Sequence, residues 1–366
     1  MSRRAQTDNR AAAQRSNAHL RRAIEIATPH HPHPNPRAGA VVVSARGAVV
    51  GEGAHRSPGE PHAEALALQA AGDAARGGTV FVTLEPCAHQ GRTPPCTDAL
   101  IAAGVAKVVV AVGDPDARVA GRGIARLRSA GIAVETDALV AEGIALDPGY
   151  FLHRRTGRPL VTLKLAATLD GQAAASDGTS QWITGDAART DVHAMRARAD
   201  AVVVGAGTLR EDDPRLDVRN DGYTGRQPVP VVVAGRAPLP ASARVFDRHP
   251  LVYRASLHGD EPQGAEVVTI EGPSGVDLDG MVKDLGVRGF LDVLVEGGPT
   301  LAAAMIADDL VDRIVMYVAG KVAGGVGRPV IGGTFATLAD ATDVTLLEAI
   351  PLGNDVKVVV RLDGRS

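Results

Sequence analysis

Cysteine is scarce: Cys87 and Cys96 are the only two in 366 residues. A disulfide framework is thereby excluded, and two nearby thiols in a reducing compartment are left for another task. Long apolar runs are lacking as well. No stretch approaches the roughly 18 residues that a membrane span needs, and no apolar signal region follows the basic, Ala-rich start MSRRAQTDNRAAAQRSN. Residues 1–16 are expected to be a solvated, disordered tail, and the cytoplasm is the expected location. Basic charge is not in excess either. A net charge of −3 with 3% aromatic residues argues against a nucleic-acid partner and for small substrates. Finally, no G-x-G-x-x-G occurs, so any dinucleotide must be held without the standard fingerprint.

What is present is an ordinary globular composition, 45% apolar and 22% charged. The length exceeds one hydrophobic core, which predicts two domains. In the first half, a helix is expected from Ala18 to about Ala27 and ends at the HHPHPNP run. AVVVSARGAVVGEGA follows as two strands turning at Ala45 to Gly47. The helix EPHAEALALQAAGDAA, with Pro61 in its first turn, leads to the buried strand TVFVTLEPC. A short helix CTDALIAAG closed by Gly104 and the strand AKVVVAVGDP complete the pattern. The punctuated stretch DPGYFLHRRTGRP reads as the linker, which puts the boundary at 157/158. Strands then recur at LVTLKLAATL, DAVVVGA, PVPVVVAG, FLDVLVEGG and DRIVMYVAG, with helices at GDAARTDVHAMRARA and GPTLAAAMIADD. Alternation of this kind implies α/β layers in both halves.

Chemistry concentrates around the thiols. His62-Ala63-Glu64, Cys87 after Pro86, and Cys96 supply one imidazole, two thiols and one carboxylate within 35 residues. Three protein ligands leave the fourth tetrahedral position of a zinc ion open for water, the catalytic arrangement. Glu64 lies two residues from His62, so on a helix the two side chains diverge, and Glu64 suits a proton shuttle better than a fourth ligand. Cys96 opens a helix, where the dipole favours thiolate. H-x-E followed by P-C-x-x-C is the general mark of zinc nucleobase deaminases. Here eight residues, AHQGRTPP, separate the cysteines, a loop able to carry His89, Arg92 and Thr93 over a pocket mouth.

Taken together, PNPRAGAVVV, GEGAH, GEPHAEALAL, TLEPCAHQGRTPPCTDALI and GDPDARVAGRGI resemble the bacterial bifunctional riboflavin-biosynthesis deaminase/reductase family. KLAATLDGQAAASDGTSQWIT, REDDPRLDVR and LVEGGPTLAAAMI extend that resemblance, which spans about residues 17 to 362. It implies a cytidine-deaminase-like αβα sandwich (17–157) followed by a dihydrofolate-reductase-like α/β domain (158–366). It also implies zinc-dependent deamination of 2,5-diamino-6-(5-phosphoribosylamino)pyrimidin-4-one, then NADPH-dependent reduction of the ribosyl chain to ribityl. By position, Ser180, Arg196, Leu216, Arg219 and Glu296 match substrate sites, the arginines suiting a 5′-phosphate. Ala166, Trp182, Thr208, Asp212, Gly298, Pro299, Thr300, Leu301, Ala302, Ala303 and Ala304 match cofactor sites. Reductase halves of this family pair, so a homo-oligomer is implied, although no stretch of sequence marks the interface.

The chain departs from the family pattern in places. Ala166 stands where some relatives have Gly, Gln172 where a basic residue is usual, and Ala38 where a larger apolar residue is usual. His30, His31 and His33 sit among prolines and read as exposed loop. Two other readings remain open here: a polynucleotide base deaminase, and a deaminase whose second half only binds.

Overall fold

The computed structural model describes residues 3–362 except 92, 237, 258–260, 274, 326, 334–335, 338 and 340. Two compact units divide it, Met1–Thr156 and Gly157–Ser366. No helix among the described residues is long and apolar enough to cross a membrane.

The first unit runs α1 (Arg3–Ala27), β1 (Gly39–Val43), β2 (Val49–Ala54), α2 (Ala63–Ala71), β3 (Thr79–Leu84), α3 (Cys96–Ala103) and β4 (Lys107–Val112). It ends with α4 (Arg122–Ser129), β5 (Ala133–Glu135), α5 (Val140–Leu146) and α6 (Pro148–Thr156). Its sheet has the order β2-β1-β3-β4-β5, antiparallel at β1 and parallel from β3 to β5. The period of two along β1 sorts its side chains. Ala40 and Val42 pack with Ala67, Leu68 and Leu100 on one face, while Val41 and Val43 meet Leu20 and Ala23 on the other. Covered on both faces, such strands are continuous apolar runs. On β2, a Cβ at Gly53 would lie 2.4 Å from the Ala63 carbonyl oxygen. Only glycine lets α2 settle that closely, and this contact sets where the helix presents its first turn.

Three expectations are corrected in this unit. Helix α1 begins at Arg3, so residues taken for a disordered tail are helical; their Ala, Arg and Gln are strong helix formers even without an apolar stripe. The stretch read as a linker is largely α6, with Pro148 at its start and Gly149, Tyr150 and Phe151 buried. His33 is buried rather than exposed. Its Nε2 lies 3.1 Å from Asp147 Oδ1, and the same carboxylate accepts the Arg37 amide at 2.8 Å, which ties the proline-rich loop down.

The second unit contains β6 (Leu160–Thr168), β7 (Gln172–Ala174), α7 (Asp186–Arg198), β8 (Ala201–Gly205), α8 (Ala206–Asp212), β9 (Val229–Gly235), β10 (Leu251–Arg254) and β11 (Glu266–Thr269). Beyond the short pair β12 (Glu271–Gly272) and β13 (Gly275–Val276) come α9 (Leu278–Val287), β14 (Asp292–Val295), α10 (Pro299–Ala307), β15 (Arg313–Ala319), β16 (Arg328–Pro329), β17 (Val344–Leu352) and β18 (Asp355–Leu362). The main sheet has the order β11-β10-β9-β8-β14-β6-β15-β18-β17. Strands β11 to β15 pair in parallel, and β18 and β17 close one edge antiparallel. Parallel strands gather their C-terminal ends on one side. Helices α8 and α10 start there, directly after β8 and close behind β14, the usual place for a ligand in an open α/β sheet.

Candidate active sites

In the first unit, His62 is the N-cap of α2, with extended backbone at φ −71° and ψ 163°. Pro61 therefore precedes the helix rather than opening it. The expected divergence of His62 and Glu64 does not arise either, because only Glu64 is within the helix, and both side chains line one cavity of about 450 Å³. Cys87 follows the end of β3, and Cys96 is the first residue of α3. His62 Nδ1 lies 3.2 Å from Cys96 Sγ and 3.7 Å from Cys87 Sγ, and the Cys96 amide donates to Cys87 Sγ at 3.4 Å. One imidazole nitrogen and two sulfurs within 4.8 Å of one another are a soft donor set suited to zinc, with Nδ1 as the facing nitrogen.

The electrostatics agree with that use. Hydrogen bonds from Cys96 and His62 draw the Cys87 thiol below its ordinary pKa, and Cys96 is correspondingly pushed up. Two thiols in contact lose their protons one after the other, and a cation is what allows both to be thiolate. Glu64 is buried, and burial raises its carboxyl pKa, opposed by His62. A buried carboxyl group whose protonated form is favoured, in the same cavity as the three donors, is suited to proton transfer.

Several lining residues had no separate signal in the sequence. Within the cavity, His55 sits with its Nδ1 3.2 Å from the Pro61 carbonyl and its Nε2 3.0 Å from Asn35 Nδ2. The carbonyl can only accept, so Nδ1 carries the proton and Nε2 accepts from Asn35. Burial lowers the pKa of His55, which keeps the ring neutral in that tautomer. Asp114 accepts from the Tyr150 hydroxyl at 2.9 Å and from the Asp116 amide at 2.8 Å. Asp116 is paired with Arg118 at 2.6 Å and lies 3.3 Å from Arg154. Tyr150 and Arg154 belong to α6, so the supposed linker supplies part of this wall. The only advance sign was a tyrosine and basic residues inside a Pro- and Gly-marked stretch. His89 and Thr93 line the cavity; Arg92 lies outside the described residues.

In the second unit, Arg196 on α7 donates from Nε and Nη2 to Glu296 at 2.7 and 2.8 Å, and from Nη1 to the Asp217 carbonyl at 3.0 Å. Its fork is thus committed to Glu296. Arg219, half exposed, spends only Nη1 on Asp217. Burial pushes the Glu296 carboxyl up, but Arg196 and Lys164 outweigh it and leave the group ionised. Lys164 on β6 is pulled below its ordinary value by burial, and the sequence reading missed it. Ser180 and Trp182 line a second cavity of about 360 Å³ with Gln172 and Lys321. The Arg189 guanidinium stacks 4.7 Å from the centre of the Trp182 ring.

Thr208 on α8 faces Gly298, where an added Cβ would sit 3.3 Å from the threonine hydroxyl. Asp212, at the end of α8, accepts from Gln181 at 3.4 Å. Gly298 caps α10 with Pro299 behind it, and the amides of that first turn have no side-chain cap. Ala166 lies on β6, one strand from β14. Not every matched position presents a side chain. Leu301 and Ala302 pack in the core beside the exposed Thr300 and the half-buried Ala303 and Ala304. Leu216 is also a core residue, with φ +56°.

A His/Cys/Cys set over a buried acid in an αβα layer, followed in the same chain by a parallel α/β unit with helix starts and a buried Arg–Glu–Lys group, defines a two-domain enzyme of deaminase and reductase type. Two family models match it: "Cytidine and deoxycytidylate deaminase zinc-binding region" over residues 13–112 and "RibD C-terminal domain" over residues 159–358. Riboflavin biosynthesis protein RibD of Escherichia coli K12 is 41% identical over 341 residues, covering 88% of this chain and 92% of that one. Its counterpart in Mycobacterium tuberculosis is 44% identical over 296 residues, covering 80% and 81%. The solved structure of Acinetobacter baumannii RibD superposes with a TM-score of 0.89 at 36% identity, covering 96% of this chain and 99% of that one. The Thermotoga maritima deaminase/reductase structure gives 0.88 at 33% over the same shares. The chain belongs to the RibD family, the bifunctional deaminase/reductases of riboflavin biosynthesis.

Proposed function

We propose that the first unit binds zinc through His62 Nδ1, Cys87 and Cys96, and removes as ammonia the 2-amino group of 2,5-diamino-6-(5-phosphoribosylamino)pyrimidin-4-one. When bound, zinc supplies Lewis-acid activation, lowering the pKa of a water from about 15.7 towards roughly 7. Glu64 takes the proton of the attacking water and returns it to the departing amino nitrogen, so water adds, ammonia leaves and a carbonyl remains. The observation that carries this reading is the Glu64 carboxyl buried in the same cavity as the three donors. Asn35 and the Pro61 carbonyl hold the His55 ring in a fixed tautomer beside His62, the two ring centres 5.0 Å apart, and the loop carrying His89 and Thr93 lines the same cavity.

The second unit is proposed to reduce the opened ribosyl chain of the uracil product with NADPH. The cofactor supplies hydride. The amides at the start of α10, with Thr208 facing Gly298, would suit its pyrophosphate, and Ala166, Trp182 and Asp212 are the further residues that would hold the cofactor. Glu296, held by Arg196, and Lys164 are the titratable groups set to handle the accompanying proton, and Ser180 and the exposed Arg219, which pairs with Asp217 through Nη1, would meet the substrate. Leu216 can contribute only through its backbone. The partner of this unit is read as a second copy of the chain, because Val344, Leu346, Leu347 and Ile350 expose apolar side chains along the edge strand β17. Ligating thiols must stay reduced, which fits the cytoplasm.

A one-pot assay with the diaminopyrimidine phosphate tests both halves. Wild-type protein should hold about one zinc, release ammonia, and oxidise NADPH only after deamination. Glu64→Gln should lower ammonia release about 10²- to 10⁴-fold while keeping zinc and still reduce pre-deaminated substrate. Ammonia release at the wild-type rate would dismiss the shuttle role.

A further inference from the structure

Glu85, between the last residue of β3 and Pro86, is 4% exposed and lines the deaminase cavity. Among the described residues it makes no hydrogen bond or ion pair with the metal donors or with a cationic side chain. Its carboxylate is occupied by backbone: the Gly121 amide donates to one oxygen at 2.9 Å, and the Gly123 and Ile124 amides donate to the other at 2.9 and 3.2 Å. Those amides belong to the N-cap and first turn of α4, where the Gly121 N-cap has no side chain of its own to satisfy them. A residue from the segment after β3 thus caps α4, and its negative charge sits at the positive end of the helix. The approach is close on both sides. A Cβ at Gly123 would lie 1.9 Å from the Pro86 carbonyl oxygen, so the start of α4 rests directly on the peptide that leads into Cys87.

This contact joins two walls of one cavity. On one side, Pro86 runs into Cys87, a member of the His62–Cys87–Cys96 set. On the other, the segment before α4 carries Asp114, Asp116, Arg118 and Val119, all lining the cavity. We propose that Glu85 is a positioning residue for deamination, fixing the Cys87 thiolate relative to the Asp114–Val119 wall through the α4 amides. The inference rests on the zinc reading of the site. Gly123 is its counterpart, since any side chain there pushes Pro86 and Cys87 away.

Two variants test it from opposite sides. Glu85→Gln places an NH₂ group against amide donors, and Gly123→Ala leaves the carboxylate but inserts a methyl group against Pro86. Zinc affinity is measured by competition with a chromophoric chelator, and the thiolate-to-metal absorption of the cobalt(II)-substituted protein reports on the geometry at Cys87. Cooperative thermal unfolding followed by circular dichroism serves as the control for folding, and reduction of deaminated substrate reports on the second unit. Both variants should lose about 10- to 100-fold in zinc affinity and shift the cobalt bands, with the reductase rate unchanged. Zinc held as tightly as in wild type by either folded variant overturns the proposal, even if its melting temperature drops, because Glu85 is then only a helix cap. Should Glu85→Gln fail to fold, Gly123→Ala decides alone. Wild-type protein that takes up no zinc sinks the zinc reading and this inference with it, whereas wild-type binding with unaffected variants sinks this inference alone.

Discussion

Asp114 and Asp116 stand two residues apart on one loop and are driven in opposite directions. Burial lifts the Asp114 carboxyl from 3.8 to about 6, against the hydrogen bonds from the Asp116 amide and Tyr150. Its hydrogen-bonded ion pair with Arg118 holds Asp116 at about 2. The fold therefore prefers Asp114 protonated: below the unfolded value of 3.8 that preference is fully satisfied, and stability falls as pH rises from about 4 to 6. Asp116 acts the other way, giving stability above 3.8 that is lost as pH falls towards 2. Asp114→Asn, whose carbonyl oxygen still accepts from both donors, should remove the decline between pH 4 and 6, worth on the order of 2–3 kcal/mol. Denaturant unfolding of wild type and variant across that range gives the difference directly, because titrations the two proteins share cancel. An identical slope in both would show that Asp114 ionises normally. At this scale the gathering of His62, Glu64, Cys87 and Cys96 was legible, since the four lie within 35 residues and the chain has only two cysteines. The Asp114–Tyr150 contact was not. It joins residues 36 apart, and no local pattern records a pairing made by tertiary packing.

Among the elements, those buried on both faces were the easiest to read. AVVV, TVFVTL and KVVVAV are continuous apolar runs because helices cover both sides of the first sheet. Elements whose support is one-sided or polar escaped. Helix α1 is basic along much of its length, and the buried residues among its described side chains, Leu20, Ala23 and Ala27, lie near its end. In α6, Pro148 and Gly149 look like breakers, yet proline at a first turn starts a helix as readily as it stops one. The α6 hydroxyl of Tyr150 donates to a buried carboxylate, so Tyr150→Phe should cost about 1–3 kcal/mol of stability and raise the KM for deamination more than it lowers kcat, with reduction untouched. An unchanged KM would mean that the α6 wall does not meet the substrate. Strand β17 was missed for a different reason. Its pairing with β18 is interrupted between Leu346 and Glu348, and this bulge breaks the period of two that marks a strand.

For the whole molecule, the edge of the nine-stranded sheet is the exposed liability. An edge strand paired only with β18 among the described residues and bearing Leu346 at 61% and Leu347 at 50% exposure invites pairing with another chain unless it is covered. Leu346→Lys with Ile350→Lys places two charges there without disturbing the core of the single chain. Wild-type protein should sediment as an oligomer and the double variant as a monomer. Monomeric wild-type protein would remove the assignment of β17 as the contact. The division into two units was legible in length and in the two blocks of motifs, but the helix α6 just ahead of Gly157 was not, because its proline and glycine read as breakers.

That helix has a consequence for how the chain comes off the ribosome. Domains fold as units during synthesis, the N-terminal one first. The donors at residues 62 to 96 emerge early, yet Tyr150 and Arg154, the last pieces of the cavity wall, emerge some fifty residues later on α6. A nascent chain therefore passes through a stage in which both thiols are outside the ribosome while their pocket stands open on one side. It closes only as the first residues of the reductase unit begin to appear.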